Sequence, residues 1–131
     1  MAKRIIDTSY LISHWKAFPD PTGRTTENMR LWAEKFIAQY GTSLIVSPVY
    51  LEMVAGVTSS DELKLTHAYL DPFVIVDAGN IPKADWEEAR RIAQRVAPNG
   101  GKRQLGDCLV RAIANRLNCD VVHTLDRKFP A

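Results

Sequence analysis

The sequence predicts an α/β protein built on a central parallel sheet. Short apolar runs at 3–6, 43–46, 73–76 and 121–123 read as strands. Between them lie longer stretches whose apolar residues recur at helical spacing. No internal repeat or low-complexity tract interrupts this alternation, and strands alternating with helices are the mark of parallel sheets.

The elements follow in order. The first strand ends at Asp7-Thr8-Ser9, where Thr8 or Ser9 is placed to cap a helix opened by Tyr10-Leu11-Ile12. Two prolines and a glycine between Phe18 and Gly23 make a loop. Met29, Trp32, Ala33, Phe36, Ile37 and Tyr40 share one helical face, and Gly41 stops that helix. After the second strand, Ser47 is expected to cap a helix whose first residue is Pro48, a position where the missing N–H costs nothing. Ser60 or Asp61 caps the next helix, which Asp71-Pro72 breaks. Pro82 leads into a helix carrying Trp86, Ala89, Ile92 and Val96, and residues 105–117 form the clearest amphipathic helix, with Asn118 at its end.

With 131 residues the chain has the size of one domain, 1–131, and enough material for a core. Its hydrophobic fraction of 46% and charged fraction of 24% are ordinary for a soluble globular protein. The formal net charge is only +2, so any basic surface for nucleic acid has to be local. The start, Met1-Ala2-Lys3-Arg4, runs into an apolar stretch too short for a secretory signal, and no run approaches the ~18 apolar residues of a membrane span. A cytoplasmic protein is expected, with no membrane association and with Cys108 and Cys119 as reduced thiols that pack.

In an open parallel sheet, chemistry sits beyond the carboxyl ends of the strands. Asp7 ends the first strand, Glu52 lies in the helix after the second, Asp107 opens the strongest helix and Asp126 follows the last strand. Converging carboxylates repel one another, and a hard divalent cation resolves that repulsion. Such an ion lowers the pKa of a bound water and neutralises phosphoryl charge, which is the chemistry of phosphodiester hydrolysis. Each acid also has a plainer explanation. Asp7 and Asp107 could cap helices, and Asp126 could be a solvated turn residue. Glu52, alone in a nearly apolar helix, could be an exposed face residue, but it is the hardest of the four to dismiss.

The four segments together resemble the PIN-domain family. Ile5-Ile6-Asp7-Thr8-Ser9 is similar to its opening motif, Ser47-Pro48-Val49-Tyr50-Leu51-Glu52 to its second-acid segment, Leu105-Gly106-Asp107 with the helix that follows to its third, and Thr124-Leu125-Asp126-Arg127-Lys128-Phe129 to its last. The resemblance runs the length of the chain, in order. It implies a three-layer α/β/α fold with a central sheet of four to five short parallel strands, and an endoribonuclease that cuts single-stranded RNA. It also implies an Mg²⁺ or Mn²⁺ site held by Asp7, Glu52, Asp107 and Asp126. Members of this size resemble VapC-type toxins, which implies a VapB-type antitoxin and a homodimer. A further strand commonly follows the last acid, whereas Ala131 comes soon after it here, so the sheet edge or a dimer contact is expected to differ.

On that resemblance Thr8, Ser9 and Thr124 are candidates to orient the carboxylates, although capping and turn formation would also explain them. Lys102, Arg103 and Arg111 are candidates for RNA phosphate, with Arg24, Arg127 and Lys128 behind them, and Arg111 leads because it shares a helix flank with Asp107. His14, Trp15, Phe18 and Trp32 carry more aromatic surface than a small core needs. In a toxin they would line a groove for an antitoxin helix, and core packing is the alternative. His14, His67 and His123 share no ligand spacing. Two rival functions remain at this point: a phosphoacceptor receiver using Asp77, and a non-catalytic module binding RNA or a partner. A haloacid-type phosphatase would need an acid at position 9, where this chain has serine.

Overall fold

Ile5 and Ile6 are both fully buried in the strand β1 (Lys3–Ile6). Consecutive apolar residues buried on both faces belong to the interior of a layered sheet. A computed structural model describes residues 3–96 and 105–122. After β1 come α1 (Thr8–Lys16), a 3-10 turn at Pro21–Gly23, α2 (Thr26–Tyr40), β2 (Leu44–Ile45), α3 (Ser47–Ala55), α4 (Ser60–Leu70), β3 (Val74–Ile75), α5 (Lys83–Val96), α6 (Leu105–Arg116) and β4 (Cys119–Val122).

All strand pairs are parallel, in the order β3-β2-β1-β4. Ile5 stands opposite Leu44 on one side and Val121 on the other. The chain steps outward from β1 to β2 to β3, and α5 and α6 then carry it back to the far side of β1. This reversal of direction lies between β1 and β4, and ligands of open parallel sheets bind beyond the strand ends at such a point. The last predicted strand begins two residues earlier than its apolar run suggests, and His123 lies outside the described residues.

Several helix starts differ from the local expectation. Asp7, not Thr8 or Ser9, is the N-cap of α1, and Ser59, not Ser60 or Asp61, is that of α4. Helix α3 begins one residue early, with Val46 in the cap position and Ser47 already inside the helix. The expected ends hold better. Gly41 closes α2 at φ 72°, a left-handed conformation that glycine adopts without a Cβ penalty. Asn118, at φ 55°, turns the chain from α6 into β4. No helix among the described residues is long and apolar enough to cross a membrane.

The aromatic residues of α1 and α2 pack on one another. His14 stacks on Trp32 with ring centroids 4.3 Å apart, and the Trp32 indole N–H donates to the His14 carbonyl at 2.7 Å. Phe18 meets Trp32 edge-on, and Trp15 meets Tyr69 edge-on. Both Trp32 and Trp15 are half-buried against the core, and Trp15 also has the Arg24 guanidinium 5.0 Å from its ring centroid.

His14 Nδ1 lies 2.6 Å from the Tyr69 hydroxyl, and burial lowers the His14 pKa from 6.5 to about 4. Burial also holds the Tyr69 phenol protonated, so the hydroxyl donates and the neutral imidazole accepts. Because the folded pKa is depressed, the unfolded chain binds the extra proton first. Stability is full above pH 6.5 and falls as pH drops towards 4. Discounted for the half-buried ring, the loss is about 1–2 kcal/mol. Urea unfolding at pH 7 and pH 4.5 should show that loss in the wild type and a smaller one in His14→Gln; equal losses would remove His14 as its source.

Candidate active site

Asp7 sits where β1 ends, in extended backbone conformation, and is 2% exposed. Its Oδ2 accepts the Ser9 hydroxyl at 2.8 Å and the Ser9 backbone N–H at 3.4 Å. Capping and burial at a strand end thus coincide in one residue. Ser9 orients the carboxylate, and Thr8 is buried beside it.

Glu52 is the sixth residue of α3, a helix that packs against α1 and α6. Glu52 stands exposed on α3, yet partial desolvation raises its pKa above the ordinary carboxylate range, the negative charge of Asp7 raises it further, and the Thr8 hydroxyl pulls it back down. Two acids 45 positions apart in sequence therefore share one electrostatic environment, and Thr8 faces the second of them. Beside Glu52 a trough of about 270 Å³ runs between α1, α3 and α4, with Ile12, Trp15, Lys16, Met53 and Thr66 among its walls.

Asp107 is half-buried in the first turn of α6. Its end of the molecule follows from topology. Helix α6 leads through a short turn into β4, which runs parallel to β1. The helix therefore runs back against the strands and begins at the end where β1 delivers Asp7. Arg111 follows one turn later on the same flank, also half-buried. Among the described residues no three His, Cys, Asp or Glu side chains stand close enough to enclose one ion. The structure thus brings Asp7 and Glu52 together and sets Asp107 at the same sheet edge. Asp126, Thr124, Lys102, Arg103, Arg127 and Lys128 lie outside the described residues.

Arg24 is set back from Asp7 but next to Trp15, a wall of the trough beside Glu52. It donates to the Trp15 carbonyl at 3.0 Å, at the far end of α1, and nine helical residues put that end about 13 Å from the cap. Asp77 is a residue whose role local sequence conceals. It is 6% exposed at the end of β3, and its carboxylate accepts the Ser47 backbone N–H at 2.9 Å and the Ser47 hydroxyl at 2.5 Å. Helix α3 is capped from a neighbouring strand, which is why Ser47 is not its own helix's cap.

The sequence matches the PIN domain family over residues 4–131. This chain belongs to that family. PIN domains are three-layer α/β/α proteins, as expected from the sequence, and generally act as metal-dependent nucleases. The receiver alternative is set aside by the match, and Asp77 is occupied with Ser47. The donor chemistry of this PIN domain fits a hard divalent cation. Its paired acids offer only oxygen, and their mutual repulsion is what such an ion relieves. The softer candidates, Cys108 and Cys119, are buried in the hydrophobic core instead.

Proposed function

We propose that this PIN domain is an endoribonuclease working with Mg²⁺ or Mn²⁺, and that it is the toxin of a VapBC-like toxin–antitoxin pair in the cytoplasm. One arrangement supports placing the nuclease chemistry at this pocket: a buried aspartate at the end of the central strand stands near enough to Glu52 of α3 for its charge to act on that carboxyl, which is already partly desolvated. A bound divalent cation supplies an activated water and neutralises charge on the scissile phosphate.

The protein's own residues have distinct tasks in this proposal. Asp7 and Glu52, the two acids that act on each other, would hold the ion, and Asp107 would have to move closer to join them, with Asp126 completing the ligand set. Ser9 fixes the Asp7 carboxylate, Thr8 faces Glu52, and Thr124 does the same for the last acid. Arg111, together with Lys102 and Arg103, holds the RNA backbone by charge. Single-stranded RNA is the favoured substrate because its unstacked bases can enter a narrow trough such as the one beside Glu52. The toxin assignment rests on the resemblance alone, since many family members of this size are VapC-like toxins, and brings with it a VapB-type antitoxin and a homodimer.

The test is cleavage of single-stranded RNA by the purified protein with Mg²⁺ or Mn²⁺. Chelator should abolish it, and Asp107→Asn should lower it at least ~100-fold, as removal of a metal ligand does. Equal rates in both proteins would exclude Asp107 from the site, and an absence of divalent-dependent cleavage would defeat the nuclease assignment.

A further inference from the structure

We infer that Asp77 is a positioning residue for the acid pair, fixing where Glu52 stands relative to Asp7 by anchoring the first turn of α3 to the end of β3. This rests on the proposed role of those two acids as cation ligands.

The anchor is specific. Residues 47 and 77 are 30 positions apart, and both Asp77 carboxylate oxygens are used, one on the Ser47 N–H and one on its hydroxyl. The Ser47 hydroxyl could have capped the helix locally had the helix begun one residue later. Instead it reaches across to β3. Asp77 lies in the turn that leaves β3, and β3 pairs in register with β2, the strand that feeds α3. A negative carboxylate at a helix N-terminus is also favoured by the helix dipole.

Packing alone does not fix α3 to the tolerance a metal site needs. Val49 and Met53 bury the inner face of the helix, but apolar contact is non-directional and permits sliding and tilting. Glu52 lies five residues beyond Ser47, about 7.5 Å along the axis. A swing of about 10° at the first turn would move it by about 1.3 Å, against a tolerance of about 0.5 Å for a working constellation. Two hydrogen bonds at the pivot remove that freedom, and Pro48 stiffens the same turn.

Calorimetric titration of the metal-free protein with Mn²⁺ tests this without RNA. Asp77→Ala is expected to weaken Mn²⁺ binding by ~10-fold or more and to lower kcat for a short RNA while KM changes little. Asp77→Asn keeps an acceptor for the Ser47 N–H and an amide that can meet its hydroxyl, so it should recover affinity to within ~3-fold of wild type. If Asp77→Ala does not fold at the assay temperature, Ser47→Ala removes one of the two bonds and should show the smaller effect, ~3-fold. Wild-type affinity in folded Asp77→Ala, or in Ser47→Ala where that variant is unfolded, would overturn the inference, as would a wild type that binds no Mn²⁺. A wild type that binds Mn²⁺ but cuts no RNA would refute the nuclease assignment alone, and the affinity ratios would still decide the role of Asp77.

Discussion

Asp7→Asn is expected to cut RNA cleavage by at least ~100-fold while leaving the protein folded, because the substitution removes charge and preserves the cap. Asparagine is as good an N-cap as aspartate. Its Oδ1 can accept the Ser9 N–H and hydroxyl that Oδ2 accepts now. The change should also register on Glu52. The Asp7 charge is one of the two causes raising that pKa, so the Glu52 carboxyl should titrate lower in the variant, as measured by ¹³C NMR of the metal-free protein. The sign for stability follows. A carboxyl whose folded pKa is raised favours folding while protonated, below its unfolded pKa, and that contribution is lost as pH rises through the folded value. At neutral pH the ionised pair therefore opposes folding, and Asp7→Asn should be at least as stable as wild type without metal. Asp7→Ala, which also loses the cap, should cost about 1 kcal/mol by comparison. Wild-type cleavage by Asp7→Asn, or an unmoved Glu52 titration, would uncouple the two acids.

How much of this was legible in the sequence depends on the range of the interaction. The four strands could be placed from short apolar runs, although burial on both faces accounts for that composition at Ile5 and Ile6 of β1 and not at Val74 of β3, which is exposed. Gly41 could be placed because a left-handed helix end selects glycine. The strand-end position of Asp7 and the helix-start position of Asp107 followed from parallel topology. Partners distant in sequence left no such trace. Asp77 looks like any turn acid until Ser47 is seen against it, and Ser47 looks like a cap until the helix is seen to begin on it. Arg24 could be read as a phosphate contact or as plain surface charge, because a loop arginine has no local signature for the Trp15 carbonyl and indole that it meets. Periodicity reveals which face of an element is buried. It does not reveal which polar group on one element meets which on another, because that depends on tertiary geometry.

The same distinction identifies the substitution with the largest expected effect on stability. Arg116 Nε donates to both oxygens of Asp85 at 2.9 Å, joining α6 to α5 across 31 residues of sequence. The two ends of this pair are unequal: the Asp85 side chain is 2% exposed and that of Arg116 is 36% exposed. Removing either side chain therefore strands a different kind of charge. Arg116→Ala leaves a carboxylate in the interior without its cation, for which about 3–5 kcal/mol is expected. Asp85→Ala leaves a guanidinium that can turn to water, so about 1–2 kcal/mol is expected. The double variant should recover part of the Arg116→Ala loss, because no buried charge remains. Chemical denaturation of the three variants against wild type measures all of these differences. If Asp85→Ala cost as much as Arg116→Ala, the loss would lie in packing between α5 and α6 rather than in a stranded carboxylate. The pair sits in the last turn of α6, the helix whose first turn carries Asp107. A bridge that locks this end of α6 to α5 leaves less freedom at the other, so residual cleavage by folded Arg116→Ala should fall below wild type by more than the unfolded fraction explains.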